Sequence, residues 1–361
     1  MTVRLGAAAA LVDGRRIEGD VEVDEVSGRV AAVGVASPAG RGLVVPGLVD
    51  LQVNGIDDVD LRRCGTDGYQ SASLQLAAAG TTAVQPTLHS MDLSGYEQAL
   101  SVLAEVHARP PAGCRILPAH LEGPFLSPAW AGAHDPSHLV DPDPELLDRL
   151  LASGPVGFVT LAPELPGGLD LVRSCVSRGI TVSVGHSDAD AAGTVAAVDA
   201  GARHLAHCWN AHRRLSARDP GPAGAALTDP RVTVGLIGDL VHVAPEVVRL
   251  TLAAAPGRVA MTTDSVALPV GAEISVVDGA VRRGDGTIAG GVARPDDCLR
   301  NLVELGCSLP DALEACGAVQ RRLLGLPEVL VRPGDPADLV VLDDGLRPIR
   351  TLVGGVEQWR A

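Results

Sequence analysis

Five short polar groups stand out along the chain: Gln52-Val53-Asn54-Gly55, His120-Leu121-Glu122-Gly123-Pro124, Gly185-His186-Ser187, His207 and Asp264. Each falls at or just after the C-terminal end of a short apolar run. One carboxylate and two imidazoles, Glu122, His186 and His207, form a three-ligand set of the kind catalytic Zn²⁺ uses, with a position left open for water. Asp264 is then suited to take the proton from that water. Any one of these histidines alone is more simply structural, because His serves many roles; what points to a metal site is the coincidence of Glu, His, His and Asp at equivalent positions. His204 lies two residues off that register and reads as a core or surface histidine. His89, His107 and His138 read as solvated loop or helix residues. A basic stretch follows His207, with Arg213, Arg214 and then Arg218-Asp219-Pro220-Gly221. A guanidinium is a forked, permanently charged donor suited to phosphate, and His242 could add a contact. Arg213 and Arg214 read as solvating a long loop, and Arg218 is the better ligand candidate.

For such distant residues to meet, the intervening chain must bring strand ends to one face. The apolar runs are Leu48 to Val53, Thr82 to Gln85, Ile116 to Leu121, Phe158 to Leu161, Thr181 to Val184, His204 to Cys208, Val232 to Ile237 and Val259 to Thr262. Helical stretches such as Ser71 to Ala79, Leu169 to Arg178 and Asp188 to Ala200 separate them, with Gly80, Gly179 and Gly201 as stops. Eight such units predict a (β/α)8 TIM-like barrel over residues 47–330, whose chemistry sits at the C-terminal strand ends. The first 46 residues alternate β-prone runs with turn signals such as Asp13-Gly14. Strand-like runs return at Leu339 to Leu342 and Ile349 to Val353. Residues 1–46 and 331–361 are therefore expected to join in one small β-sandwich, with the barrel inserted between its halves.

The 361 residues carry a formal charge of −15, which argues against nucleic acid or an anionic membrane as partner. Any anionic substrate must then meet a local basic cluster. Hydrophobic residues make up 46% of the chain and aromatics 2%, so the core must be built from Val, Leu, Ile and Ala. Seven scattered cysteines without a C-x-x-C pair oppose a disulfide framework or a cysteine zinc site. The apolar run Leu5 to Val12 is too short to span a bilayer. The expectation is an unanchored cytoplasmic protein.

These residues resemble the amidohydrolase superfamily and, within it, the N-acetylglucosamine-6-phosphate deacetylases. The resemblance runs from Pro46-Gly47-Leu48-Val49-Asp50 to Gly334-Asp335-Pro336-Ala337-Asp338. Gln52-Val53-Asn54 in place of the superfamily's His-x-His is the most discriminating short motif, joined by His120-Leu121-Glu122-Gly123-Pro124, Gly132-Ala133-His134, Gly185-His186-Ser187, His207-x-x-Asn210-Ala211 and Thr263-Asp264. The resemblance implies that Glu122, His186 and His207 hold the metal, that Asp264 is the general acid/base and that His134 polarises the acetyl carbonyl. It implies that Asn210, Ala211, Arg218 and His242 bind the sugar phosphate and that Ala133, Asp239 and Ile288 also line the substrate. Gln52 and Asn54 lack the basicity of His, so the superfamily's second metal position is expected to be vestigial. One divalent ion per subunit is implied, Zn²⁺ first and Fe²⁺, Co²⁺ or Mn²⁺ as alternatives, in a homodimer acting on N-acetylglucosamine 6-phosphate. The chain departs from the family pattern at His212, at Leu240 in Asp239-Leu240-Val241-His242, and at Ala289 in Ala289-Gly290-Gly291. Rival expectations are deacetylation of another N-acyl amino sugar, such as the galactosamine 6-phosphate epimer, or of an N-acyl amino acid, and a non-catalytic amidohydrolase-like scaffold.

Overall fold

A computed structural model describes residues 1–37, 39–268, 274–284 and 286–361. Eight parallel strands form the barrel: β1 (Leu48–Val53), β2 (Thr81–His89), β3 (Ala119–Glu122), β4 (Val156–Leu161), β5 (Thr181–Val184), β6 (His204–Leu205), β7 (Thr233–Ile237) and β8 (Val259–Thr262). Each pairs in parallel with the next from β1 to β8. Helices cover the outside, so the strands are buried on both faces and read as continuous apolar runs instead of alternating ones. Asp190, for example, accepts from Gly193 N–H at 2.7 Å to cap the helix Ala191–Ala200. Gly201 at φ 118° ends that helix in a conformation open to glycine.

Closure between β1 and β8 is made by side chains as much as by backbone. The buried Asp50 carboxylate accepts from Thr262 Oγ1 at 2.5 Å, Thr263 Oγ1 at 2.7 Å and Thr263 N at 3.1 Å. Just beyond the strand ends Asn54 N and Gly55 N both donate to Ser265 O, at 2.8 and 3.1 Å. The residues flanking Asn54 and Asp264 are thus tied together before either side chain does anything.

The two chain ends meet where Leu43–Pro46 pairs antiparallel with Leu339–Leu342. A six-stranded sheet grows around that pair, and a three-stranded sheet of Thr2–Arg4, Asp20–Asp24 and Arg29–Val35 faces it. Val21, Val44, Leu339 and Val341 share a core separate from the barrel's. Gly47 links the two regions, and a Cβ there would lie 2.1 Å from the Thr82 methyl, so the passage demands glycine.

Three local features differ from the sequence expectation. The run at His204 is a strand only to Leu205, because the chain turns so sharply that His207 takes φ 25°. The run at Thr82 extends to His89, which carries that histidine into the barrel mouth. After β8 the chain makes an antiparallel sheet of Ile274–Val277, Ala280–Arg283 and Ile288–Gly291 before the next helix. Its short strands are broken by Gly and Asp, so apolar periodicity marks them poorly. Gly291 is bonded to the Asp264 segment, with Gly291 N donating to Asp264 O at 3.0 Å and Val266 N to Gly291 O at 3.0 Å.

Candidate metal centre and active site

The C-terminal mouth of the barrel opens into a cavity of about 1390 Å³, with Glu122, His134, His186, His207 and Asp264 among its walls. Glu122 ends β3, while His186, His207 and Asp264 lie just past the ends of β5, β6 and β8. These last three all have left-handed backbone, with φ of 48°, 25° and 46°. Such conformations cost non-glycine residues on the order of 1–3 kcal/mol each and cluster where function over-determines the geometry. Here the turn swings each side chain back over the barrel axis.

Glu122 Oε1 lies 3.2 Å from His186 Nε2 and 2.9 Å from His207 Nε2, and one ligand atom from each of the three falls within 4.8 Å of the others. The other ring nitrogens explain how the set fits a cation. His186 Nδ1 donates to Trp130 O at 2.8 Å and His207 Nδ1 to Asn210 O at 3.0 Å. A carbonyl only accepts, so each Nδ1 carries hydrogen and each Nε2 is the atom offered to the centre. Burial opposes ionisation of Glu122, but the hydrogen bonds to His186 and His207 outweigh it and hold its carboxylate well below the usual range. Burial likewise lowers His207, yet its bond to Glu122 and that residue's charge prevail and its pKa is raised. A dense buried carboxylate–imidazole set with both tautomers fixed by the backbone is suited to a divalent cation.

Around that set, hydrogen bonding assigns the remaining protons. Ser90 N–H donates to His134 Nδ1 at 3.3 Å, so His134 Nε2 bears the hydrogen, 3.8 Å from Glu122 Oε2. Burial, then the neighbouring His186, holds His134 well below its usual pKa; it is a neutral donor. Burial, and then the Glu122 carboxylate, push the Asp264 carboxyl up to about 7, and a cation beside Glu122 would act in the opposite sense. Gln52 Nε2 donates to both Glu122 Oε1 and Asp264 Oδ1, at 2.8 and 3.1 Å. An amide NH₂ thereby links the Glu122 and Asp264 carboxylates.

The substrate residues expected from sequence divide. Ala133, Asn210, Ala211, His242 and Ile288 line the cavity, and Asn210 Nδ2 is a buried donor without a hydrogen-bond partner among the described residues. Asp239 is not among the cavity-lining residues. It sits behind His242, accepting from His242 Nδ1 at 2.6 Å and from the backbone N–H groups of Val241 and His242 at 2.9 and 3.0 Å, so it positions a residue instead of touching the cavity. Leu240 holds φ 61° in that turn, where glycine would be unstrained. Arg218, expected at this mouth, is instead exposed and outside the cavity of its own chain. Arg213 is held on Asp219 at 2.6 Å, while the arginines that do face the cavity are Arg62, Arg63 and Arg283.

Sequence reading also missed His89. It belongs to no solvated loop or helix: half-buried at the end of β2, it lines the cavity, its ring stands 5.6 Å from that of His134, and burial, then Arg62, lower its pKa to about 4. Its place one residue before Ser90, at the end of a barrel strand, was the available signal. His204 is a core residue, bonded to Ser183 Oγ at 2.9 Å and edge-on to Phe158. His120 is structural, linking Leu51 O at 3.1 Å and Thr160 Oγ1 at 2.7 Å.

No family model matches the chain. Individual proteins do. The bovine N-acetylglucosamine-6-phosphate deacetylase is 33% identical over 343 residues, 88% of this chain and 84% of that protein. An N-acetylgalactosamine-6-phosphate deacetylase of Escherichia coli O157:H7 is 34% identical over 318 residues, 84% of each. Among solved structures, a mutant N-acetyl-D-glucosamine-6-phosphate deacetylase of Mycobacterium smegmatis in complex with N-acetyl-D-glucosamine-6-phosphate superposes with a TM-score of 0.88 at 33% identity, covering 99% of this chain and 98% of that one. The Thermotoga maritima N-acetylglucosamine-6-phosphate deacetylase gives 0.89 at 26% identity, with both chains fully covered. This likeness extends through barrel and sandwich together, and by it the chain belongs to the N-acetylglucosamine-6-phosphate deacetylase family of amidohydrolases.

Proposed function

We propose that this protein hydrolyses the N-acetyl group of N-acetylglucosamine 6-phosphate, giving glucosamine 6-phosphate and acetate. The observation that carries the reading is the convergence of Glu122, His186 and His207 on one point, with His134 and Asp264 beside it. Glu122, His186 and His207 would hold one divalent ion, Zn²⁺ in our reading, with Fe²⁺, Co²⁺ and Mn²⁺ accepted by the same donors. When bound, that ion supplies Lewis acidity to the amide and to the attacking water. The protein's own groups do the rest. His134 Nε2–H donates to the acetyl oxygen as negative charge develops there. Asp264 removes a proton from the water as its oxygen bonds to the acetyl carbon, then delivers that proton to the sugar nitrogen as the C–N bond breaks. Gln52 and Asn54 hold one oxygen of Asp264, so the other is left for the proton.

Asn210, Ala211, His242 and Ile288 would receive the sugar, with His242 steadied by Asp239. Arg218 stands outside its own chain's cavity, and in our reading it meets the 6-phosphate bound by a neighbouring subunit of a homodimer. Co-assembling an Asp264→Asn subunit with an Arg218→Ala subunit should then restore turnover of the phosphorylated sugar. The described residues hold no helix long and apolar enough to cross a membrane, and all seven cysteines are free, which supports a cytoplasmic setting.

Acetate release from the 6-phosphates of N-acetylglucosamine and N-acetylgalactosamine, and from unphosphorylated N-acetylglucosamine, tests the reading. We expect the first to be preferred and a chelator to abolish its turnover. Preference for the galactosamine epimer or for the unphosphorylated sugar would replace the substrate, and metal-replete protein inert on all three would defeat the assignment.

A further inference from the structure

We propose that Arg62 and His89 are positioning residues for this reaction, forming with Asp60 a hydrogen-bonded relay that sets the amide of Asn54 and, through it, the direction of the Asp264 carboxylate. The inference rests on the reading of Asp264 as the base.

Asp60 ends a short hairpin of Gly55–Ile56 and Val59–Asp60 that follows directly on Asn54. Its carboxylate grips Arg62, accepting from Nε at 3.1 Å, from Nη2 at 2.8 Å and from the Arg62 backbone N–H at 3.0 Å. The remaining arm of the guanidinium, Nη1, donates to His89 Nε2. A guanidinium has donors only, so His89 must accept there and carry its hydrogen on Nδ1. That Nδ1 lies 3.4 Å from Asn54 Oδ1, to which it donates. With its oxygen so engaged, the Asn54 amide can face only one way, and Nδ2 donates to Asp264 Oδ1 at 2.9 Å.

The consequence is directional. An asparagine amide is nearly symmetrical in shape, and a flipped Asn54 would set its oxygen against a carboxylate oxygen of Asp264. Arg62, carrying donors alone, removes that alternative through two intermediate groups. Asp264 Oδ1 is then occupied by Asn54 and Gln52 together, and Oδ2 is the oxygen left to exchange a proton. Packing alone explains none of this: a half-buried Arg, an Asp and a His arranged in donor–acceptor order are a poor filling for an apolar barrel mouth. Because Arg62 also faces the cavity, the competing possibility is that it binds an anionic part of the substrate directly, and this is separable by kinetics.

The test uses full-length, metal-loaded protein carrying Arg62→Met or His89→Leu, assayed on N-acetylglucosamine 6-phosphate with metal content measured in parallel. Loss of an outer partner that orients a working group typically costs about ten- to a hundredfold, and that loss is expected in kcat, with KM within about twofold and metal content unchanged. His89→Gln, which can still accept from Arg62 and donate to Asn54, should recover most of the rate. In an Asn54→Ala background, Arg62→Met should add less than about a further twofold, because the relay is already cut. Wild-type kcat in folded Arg62→Met, a loss confined to KM, or a loss that multiplies with Asn54→Ala would each overturn the relay. Should His89→Leu fail to fold, Arg62→Met and the double variant decide alone. Asp264→Asn separates the two levels: wild-type turnover there defeats the base reading itself, whereas an inactive Asp264→Asn beside an unaffected Arg62→Met defeats only the relay.

Discussion

The floor of the cavity and its rim are built on different principles. On the floor, Glu122, His186, His207 and His134 are buried and Asp264 is half-buried, and backbone or amide partners fix which atom of nearly every group carries hydrogen. At the rim stand exposed Arg63 and Arg283, the latter on the sheet after β8 with its guanidinium donating to Ala133 O at 3.2 Å, and Leu268, nearly half exposed at 43%. Groups at barrel strand ends inherit the rigidity of a packed parallel sheet, whereas rim groups hang on connections that the barrel does not constrain. Preorganised chemistry and adjustable recognition are thus separated within one cavity, and substitutions in the two zones should differ in kind as well as in size.

The largest effects should come from the floor. His186→Ala or His207→Ala should strip the metal and reduce turnover to background, since two remaining ligands hold a cation poorly; full metal occupancy in both variants would show the centre lies elsewhere. Asp264→Asn should retain metal while lowering kcat by roughly 10²–10⁴-fold, the ordinary span of general acid/base transfer, and near wild-type turnover would remove it from the reaction. Metal uptake should also be pH-dependent. A cation must displace the proton that His207 Nε2 shares with Glu122, and the His207 pKa is raised above 6.5. Apparent affinity should therefore begin to fall above pH 6.5 on acidification, by about tenfold per unit for one displaced proton, and a titration flat between pH 7.5 and 5.5 would contradict that coupling.

At the rim, Ile288→Ala should act on KM by a few-fold, with kcat and metal content intact, because it removes a wall of the cavity and no proton-handling group; a hundredfold fall in kcat would erase the distinction between floor and rim. The smallest effect is expected behind the rim, at Leu240. Releasing its left-handed backbone with Leu240→Gly relieves roughly 1–2 kcal/mol of strain, while glycine's greater freedom in the unfolded chain offsets about 0.4–1 kcal/mol and lost packing offsets more. Denaturant unfolding should show a change within about 1 kcal/mol of zero.

Much of this arrangement was legible along the chain. Runs such as Leu48 to Val53, Thr181 to Val184 and Val259 to Thr262 are short but rich in apolar residues because a strand between neighbours and helices has no wet face, and their spacing implies a barrel. Since barrel chemistry lies at one end of every strand, Glu122, His186, His207 and Asp264 could be grouped before any distance was known. Turn chemistry was legible too, as at Gly201, whose left-handed backbone at φ 118° favours glycine. What the one-dimensional pattern could not carry is direction and reach. The difference between Asp239, behind His242, and Asp264, over the barrel axis, is set by which way a turn swings. Arg218 in its exposed loop and Arg62 against His89 are both arginines near polar neighbours, yet hairpin geometry brings only one of them to the cavity of its own chain. His89 looks solvated in sequence because its neighbours do, and becomes part of the wall because β2 runs further than its apolar core. Composition and periodicity determine which segments must be buried and therefore which strands exist. The placement of each proton depends on contacts between residues as far apart as Asn54 and Asp264, and only the closed barrel decides those.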